Sequence, residues 1–181
     1  MHSYTEVNLG AFLALFFVIW LVILVFLAIS YVLSALGLYK IAKKMNHPTP
    51  YLAWIPVVST YLLGELAKDE IKKVKNITTP NFLYDNLGLV LALAPLVMGP
   101  IAIIPILGWI AIVAANVFIL YLTILAILHI YKQFVDEGKA ALYVVLYFFL
   151  APVAMIIIGS KEILHPNEFT SRHNPSFFTE F

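Results

Sequence analysis

Between Asp85 and Lys132 the chain runs for 46 residues without one acidic or basic side chain. Lipid offers no hydrogen-bond partner to a bare backbone, so such a stretch is stable in a bilayer only as helix. A hydrocarbon core of ~30 Å is crossed by about 20 helical residues. The long run therefore has room for two crossings and a turn. Two further charge-free runs, 33 residues between Glu6 and Lys40 and 21 between Lys139 and Lys161, have room for one crossing each. Composition agrees: 62% of the 181 residues are hydrophobic and 12% charged, against roughly 45–50% and about 25% in soluble domains. A chain this short has too little interior to hide that excess. The fold class expected is an all-α integral membrane protein with about four transmembrane helices plus a short re-entrant or interfacial segment.

The expected crossings cover residues 9–32, 87–104, 107–130 and 140–158, within a single helical domain over 1–159. The first helix can run on from Leu9 to about Lys44, or ~54 Å at 1.5 Å per residue. A span to Val32 followed by an extension resolves the excess, with Ser34, Leu38, Ile41 and Met45 near helical spacing. His47-Pro48-Thr49-Pro50 stops it. Residues 51–67 are apolar but short and interrupted by Pro56, which suits a segment that re-enters or lies at the interface. Lys68 to Thr79 reads as a charged connector. Pro95, Gly99-Pro100 and Pro105 are expected to break the next hairpin in its first half, and Pro152 to kink the last span. Residues 160–181 form a polar-aromatic tail.

Lysines of short loops favour the cytoplasmic face. With 51–67 returning to the side it left, nine lysines share one face and only Lys161 and Arg172 lie opposite. Both termini are then expected outside. If 51–67 crosses, the split falls to six against five.

The net charge of +1 and the lack of a dense Lys/Arg block point away from nucleic acid. Cysteine is absent, which removes disulfides, thiol catalysis and zinc–thiolate sites. His-Glu-x-x-His, Gly-x-Ser-x-Gly, phosphate-cradling glycine loops and paired intramembrane carboxylates are missing. No catalytic, metal or cofactor site is therefore expected. Glu65, at the end of the Pro56 segment, is the leading candidate for a functional side chain. It either faces a cavity or forms an interfacial pair with Lys68 at i+3. Ser59 and Thr60 could complete the hydrogen bonds that Pro56 breaks. Asn116 and Thr123, seven residues apart on one helical face, either line a solute path or bond a neighbouring helix. Gly108, Ala111 and Ala115 form one small-residue packing stripe, and Ser30, Ser34 and Gly37 another. Trp54, Trp109, Tyr51, Tyr61, Tyr84, Tyr131 and His129 read as interfacial aromatics.

Leu38-Tyr39-Lys40-Ile41-Ala42-Lys43-Lys44, then Tyr51-Leu52-Ala53-Trp54-Ile55-Pro56-Val57-Val58-Ser59-Thr60-Tyr61, resembles a group of small bacterial multi-pass membrane proteins. In that group a basic helix end precedes an aromatic, an Ile-Pro pair and a Tyr-Asn-x-Tyr-like close. Here Tyr51 stands where the aromatic is usually Trp, and Val58-Ser59 replace the Tyr-Asn. The resemblance spans about 25 residues, implies a bacterial cytoplasmic membrane, and carries no assigned activity. Without catalytic motifs but with two packing stripes, the function expected is that of a non-enzymatic subunit or accessory factor packing against a membrane partner or a second copy. A small transporter or channel, possible as an oligomer around the proline-broken segments, is the alternative.

Overall fold

The computed structural model describes residues 6–76, 81–101 and 106–164, and every regular element among them is helical. Three helices are long and apolar enough to cross a membrane, over Gly10–Lys44, Gly108–Lys132 and Glu137–Ser160, and Leu87–Met98 is a shorter apolar one.

Helix α1 (Glu6–Lys44) is unbroken for 39 residues. Every residue from Gly10 to Ile29 is exposed, whereas Ala35, Leu38, Ile41, Ala42 and Met45 are buried. One rod thus changes environment near Val32, where the sequence places the end of the span. It ends at Asn46, whose φ of 52° is left-handed. The Asn46 amide donates to the Lys43 carbonyl and that of His47 to Ala42, at 3.2 and 3.0 Å. This closure satisfies the last carbonyls before Pro48 arrives.

The chain doubles back through a 3₁₀ turn, Pro50–Trp54, pinned to α1 by the Tyr31 hydroxyl, which donates to the Trp54 carbonyl at 2.5 Å. Helix α2 then covers Val58–Val74 and buries Leu62, Leu63, Leu66, Ala67 and Ile71. The apolar piece and the charged connector expected over 51–67 and 68–79 are therefore divided differently. Residues 58–74 form one amphipathic helix, because the apolar side chains keep helical spacing across Lys68 while the lysines occupy the other face.

The four-residue α3 (Phe82–Asp85) is capped by the Asn81 side chain, which accepts from the Leu83 amide. Helix α4 (Leu87–Ile101) contains Pro95 and Pro100. These prolines were expected to break the helix, yet it continues through both, each removing one intrahelical bond. Pro105 lies outside the described residues. Helix α5 (Leu107–Lys132) is exposed at Trp109, Ile110, Val113 and Val117 and buried at Leu122, Ala126, Ile127 and Ile130.

Helix α6 (Glu137–Ser160) is not a rod. Leu150 has φ −142° and ψ 58° within it, two residues before Pro152, whose missing amide weakens the turn there. A straight helix of this length would hold its ends ~36 Å apart. Instead the Leu164 amide donates to the Gln133 carbonyl at 2.9 Å, and the Lys161 amine lies 6.0 Å from the centre of the Tyr143 ring. Both contacts require the chain to reverse near Leu150. The expected kink is thus a complete turn, and α6 is a helical hairpin whose two ends meet.

The core gathers at that same end, around Ile41, Leu62, Ile71, Leu87, Leu122, Ile127 and Ile158. Helix α1 packs on α6, the 3₁₀ turn and α2, and meets neither α4 nor α5 among the described residues. Helices α2 and α4 cross at Gly64 and Gly88, where a Cβ on Gly64 would sit 2.5 Å from the Gly88 Cα.

Candidate functional site

The polar residues nominated around Pro56 are brought together only in part. Ile55 is extended (φ −100°, ψ 117°), and Val57 then takes φ 67° and ψ −50°. Its neighbours close a three-residue turn, the Val58 amide donating to the Pro56 carbonyl at 2.7 Å. A β-branched residue at positive φ is strained. The strain persists because both flanks are fixed, by Tyr31 on Trp54 and by the Thr60 hydroxyl donating to the Val57 carbonyl at 2.5 Å. Pro56 itself is exposed; its part is to end the 3₁₀ turn and aim α2.

Aimed this way, α2 places Ser59 and Thr60 on a cavity of about 110 Å³ shared with α1, the 3₁₀ turn and α6. Tyr31, Ser34, Tyr147 and Met155 complete its more important walls. Among the described residues the hydroxyls of Ser34, Ser59 and Tyr147 have no hydrogen-bond partner, whereas those of Tyr31 and Thr60 are engaged. The lining carries no carboxylate and no imidazole, and its polar side chains are all hydroxyls. Its volume suits about three waters or one small neutral hydroxylic molecule. The sequence pointed to Ser34, Ser59 and Thr60 separately. Tyr147 was invisible because only the α6 reversal brings it to α1.

Glu65 does not reach this cavity. Its carboxylate bonds the Lys68 amine at 2.5 Å, the pairing at i+3 that is the simpler of its two expected roles. For Lys68, burial pulls the amine's pKa down, but the hydrogen bond and charge of Glu65 outweigh it and the net shift is upward. Asn116 donates to the Ile112 carbonyl of its own helix at 2.9 Å and to the Met98 sulfur of α4 at 3.6 Å. Thr123 donates to Ile119 at 2.8 Å. Thr123 thus turns on its own backbone, whereas Asn116 also reaches the neighbouring helix α4, the simpler of its two expected roles.

The packing stripes divide. On α1, a Cβ at Gly37 would lie 2.6 Å from the Met155 backbone, and one at Gly159 would lie 2.8 Å from the Gly37 carbonyl. Ser30 and Ser34 are half-buried beside this seam. On α5 the expected stripe is internal only in part: among the described residues Gly108 is buried, Ala115 half-buried and Ala111 exposed. Two interfacial assignments also change. His129 and Tyr131 are buried, at 6% and 1% exposure, and neither imidazole nitrogen nor the hydroxyl has a hydrogen-bond partner.

Charged pairs fasten the same end. Lys72 bonds Asp85, the Asp85 carboxylate accepts the Asn81 amide at 2.7 Å, and the Lys75 amine bonds the Tyr84 and Tyr121 hydroxyls at 2.7 and 3.2 Å. The Lys72 ammonium, and secondly the Asn81 amide, hold the Asp85 carboxyl below its ordinary 3.8. A depressed carboxylate stabilises the fold above its unfolded pKa, and that contribution is lost as pH falls through the folded value. Wild type is therefore expected to melt slightly above Asp85→Asn at pH 7, with the gap closing below about pH 4. A gap unchanged in acid would show the pair to be idle. No protein-family model, curated protein or solved structure matches the chain.

Proposed function

We propose that the protein is a non-enzymatic multi-pass membrane protein that acts as an accessory subunit, binding a membrane partner through the apolar half of α1. One observation carries this. From Gly10 to Ile29, α1 is exposed on every side and meets neither α4 nor α5. Helices in lipid associate by close packing rather than by hydrophobic drive, and this ~30 Å length has no packing partner among the described residues. Trp109, Ile110 and Val113 of α5 are exposed as well. In this arrangement α1 crosses the bilayer once, while α4–α5 and the α6 hairpin each enter and return. All ten lysines then share one face.

The test is a photo-reactive residue placed in turn at Phe16, Phe17, Val18 and Ile19, which at about 100° per residue together sample all sides of α1. In native membranes one or two of these positions are expected to give a discrete protein adduct, a second copy included, while Asp69 gives none. Lipid adducts alone from all four positions would defeat the proposal.

A further inference from the structure

We propose that Lys40, Lys43, Lys44 and Lys161 form a binding site for the headgroup of an anionic phospholipid at the joined ends of α1 and α6. The site rests on the membrane placement above, but not on a protein partner.

The lysines of the chain fall into two sets. Lys68, Lys72, Lys132 and Lys139 each hold a carboxylate, that of Glu65, Asp85, Glu137 and Asp136 respectively. Lys75 is held by two tyrosine hydroxyls, and Lys73 is also engaged. Among the described residues Lys40, Lys43, Lys44 and Lys161 have no carboxylate partner, although they belong to one small region.

Their gathering follows from the reversal of α6. The close contact of Gly37 with Gly159 sets the Lys40 Cβ within 3.2 Å of where a Cβ on Gly159 would lie. One turn further, the Lys44 amine donates to the Lys161 carbonyl at 2.5 Å. Two parallel helix ends thus present their lysines together. The C-termini contribute about half a negative charge each, and Glu162 one more. Four ammonium groups still leave a net charge of about +2. A soluble anion would satisfy this charge alone, but the adjoining surface is apolar. Ile29 and Val32 of α1 and Val153 of α6 are exposed on the same two helices, as acyl chains below a bound headgroup require. Basic groups between helix ends at the membrane face attract anionic lipid.

Native mass spectrometry of the detergent-solubilised full chain, equilibrated with equal phosphatidylglycerol and phosphatidylcholine, tests this. Wild type is expected to retain phosphatidylglycerol selectively. Lys40→Gln/Lys43→Gln/Lys161→Gln should lower that selectivity on the order of 100-fold, about fivefold for each lysine. Lys44 is left intact because its amine closes the Lys161 carbonyl. The corresponding triple Arg variant should retain the selectivity, and Lys139→Gln, whose lysine is already neutralised, should leave it unchanged. Should the triple Gln variant fail to fold, the single variants Lys40→Gln and Lys161→Gln read the same fivefold steps. Unchanged selectivity in the Gln variants would overturn the site. So would displacement of phosphatidylglycerol by equimolar inorganic phosphate, which would make it a site for the free ion. Neither result bears on cross-linking from α1, so the two proposals fail separately.

Discussion

Gly64→Ala is expected to destabilise the protein by about 3 kcal/mol, the upper part of the range for forcing extra atoms into a packed interior. In an uncrowded helix the same change stabilises by up to ~1 kcal/mol, since alanine has the higher helix propensity. The sign reverses here because a Cβ on Gly64 would lie 2.5 Å from the Gly88 Cα and amide nitrogen and 2.8 Å from the Leu87 carbonyl carbon. Those atoms are backbone, so no rotamer change relieves the clash. Helices α2 and α4 would have to separate, opening the contacts of Leu62, Leu63 and Leu87 in the core. Gly88→Ala meets the Tyr61 carbonyl at 2.6 Å and should be as harmful. Gly138, with nothing within 4 Å, supplies the control, and Gly138→Ala should melt at or slightly above wild type. Melting followed by helical circular dichroism in a mild detergent measures all three. Equal melting of Gly64→Ala and wild type would mean that the two helices do not cross there.

The Gly64–Gly88 crossing shows what the sequence conceals. Gly37 was recognisable because Ser30 and Ser34 precede it at helical spacing on one element. Gly64 and Gly88 are isolated glycines on different helices, and nothing local signals that they meet. The environmental change along α1 was legible, since Leu38, Ile41 and Met45 carry a periodicity that the uniformly apolar stretch before them lacks. The break at Pro56 was legible from proline chemistry alone. The amphipathic course of α2 was obscured by reading charge density as a connector when the apolar spacing continued to Ile71. Of the candidate site, Ser34, Ser59 and Thr60 could be nominated residue by residue, and Asn116 and Glu65 were nominated because polar groups in apolar runs are costly. Their costs turn out to be met locally, by the Ile112 carbonyl and by Lys68. The α6 reversal was hidden for a physical reason. Twenty-one charge-free residues fit one crossing or two short arms equally well, and hydropathy is the same in either direction.

That reversal leads to the second large effect, a change of side for the end of α6. A cysteine placed at Lys161 is expected to be labelled from the same side of the membrane as cysteines at Lys73 and Lys139, and from the side opposite a cysteine at Ser3. The chain has no cysteine of its own, so each variant reports one position. Four crossings would put Lys161 across the bilayer from Lys139. The backbone bond from Leu164 to Gln133 and the Lys44 amine on the Lys161 carbonyl instead join that end to the turn before α6 and to the end of α1. Breaking those contacts to carry Lys161 across would take Val144, Met155 and Ile158 out of the buried cluster. It would also draw a lysine through the bilayer, at a cost of roughly 3 kcal/mol or more. With α6 returning to the side it left, nine lysines against one would become ten on one face, in line with the preference of basic loops for one side. An impermeant maleimide added to intact cells, then to opened ones, makes the distinction. Lys161→Cys and Lys73→Cys should both react only after opening, whereas Ser3→Cys reacts before it. External labelling of Lys161→Cys with internal Lys139→Cys would restore α6 as a crossing helix and remove the paired helix ends on which the lipid site depends.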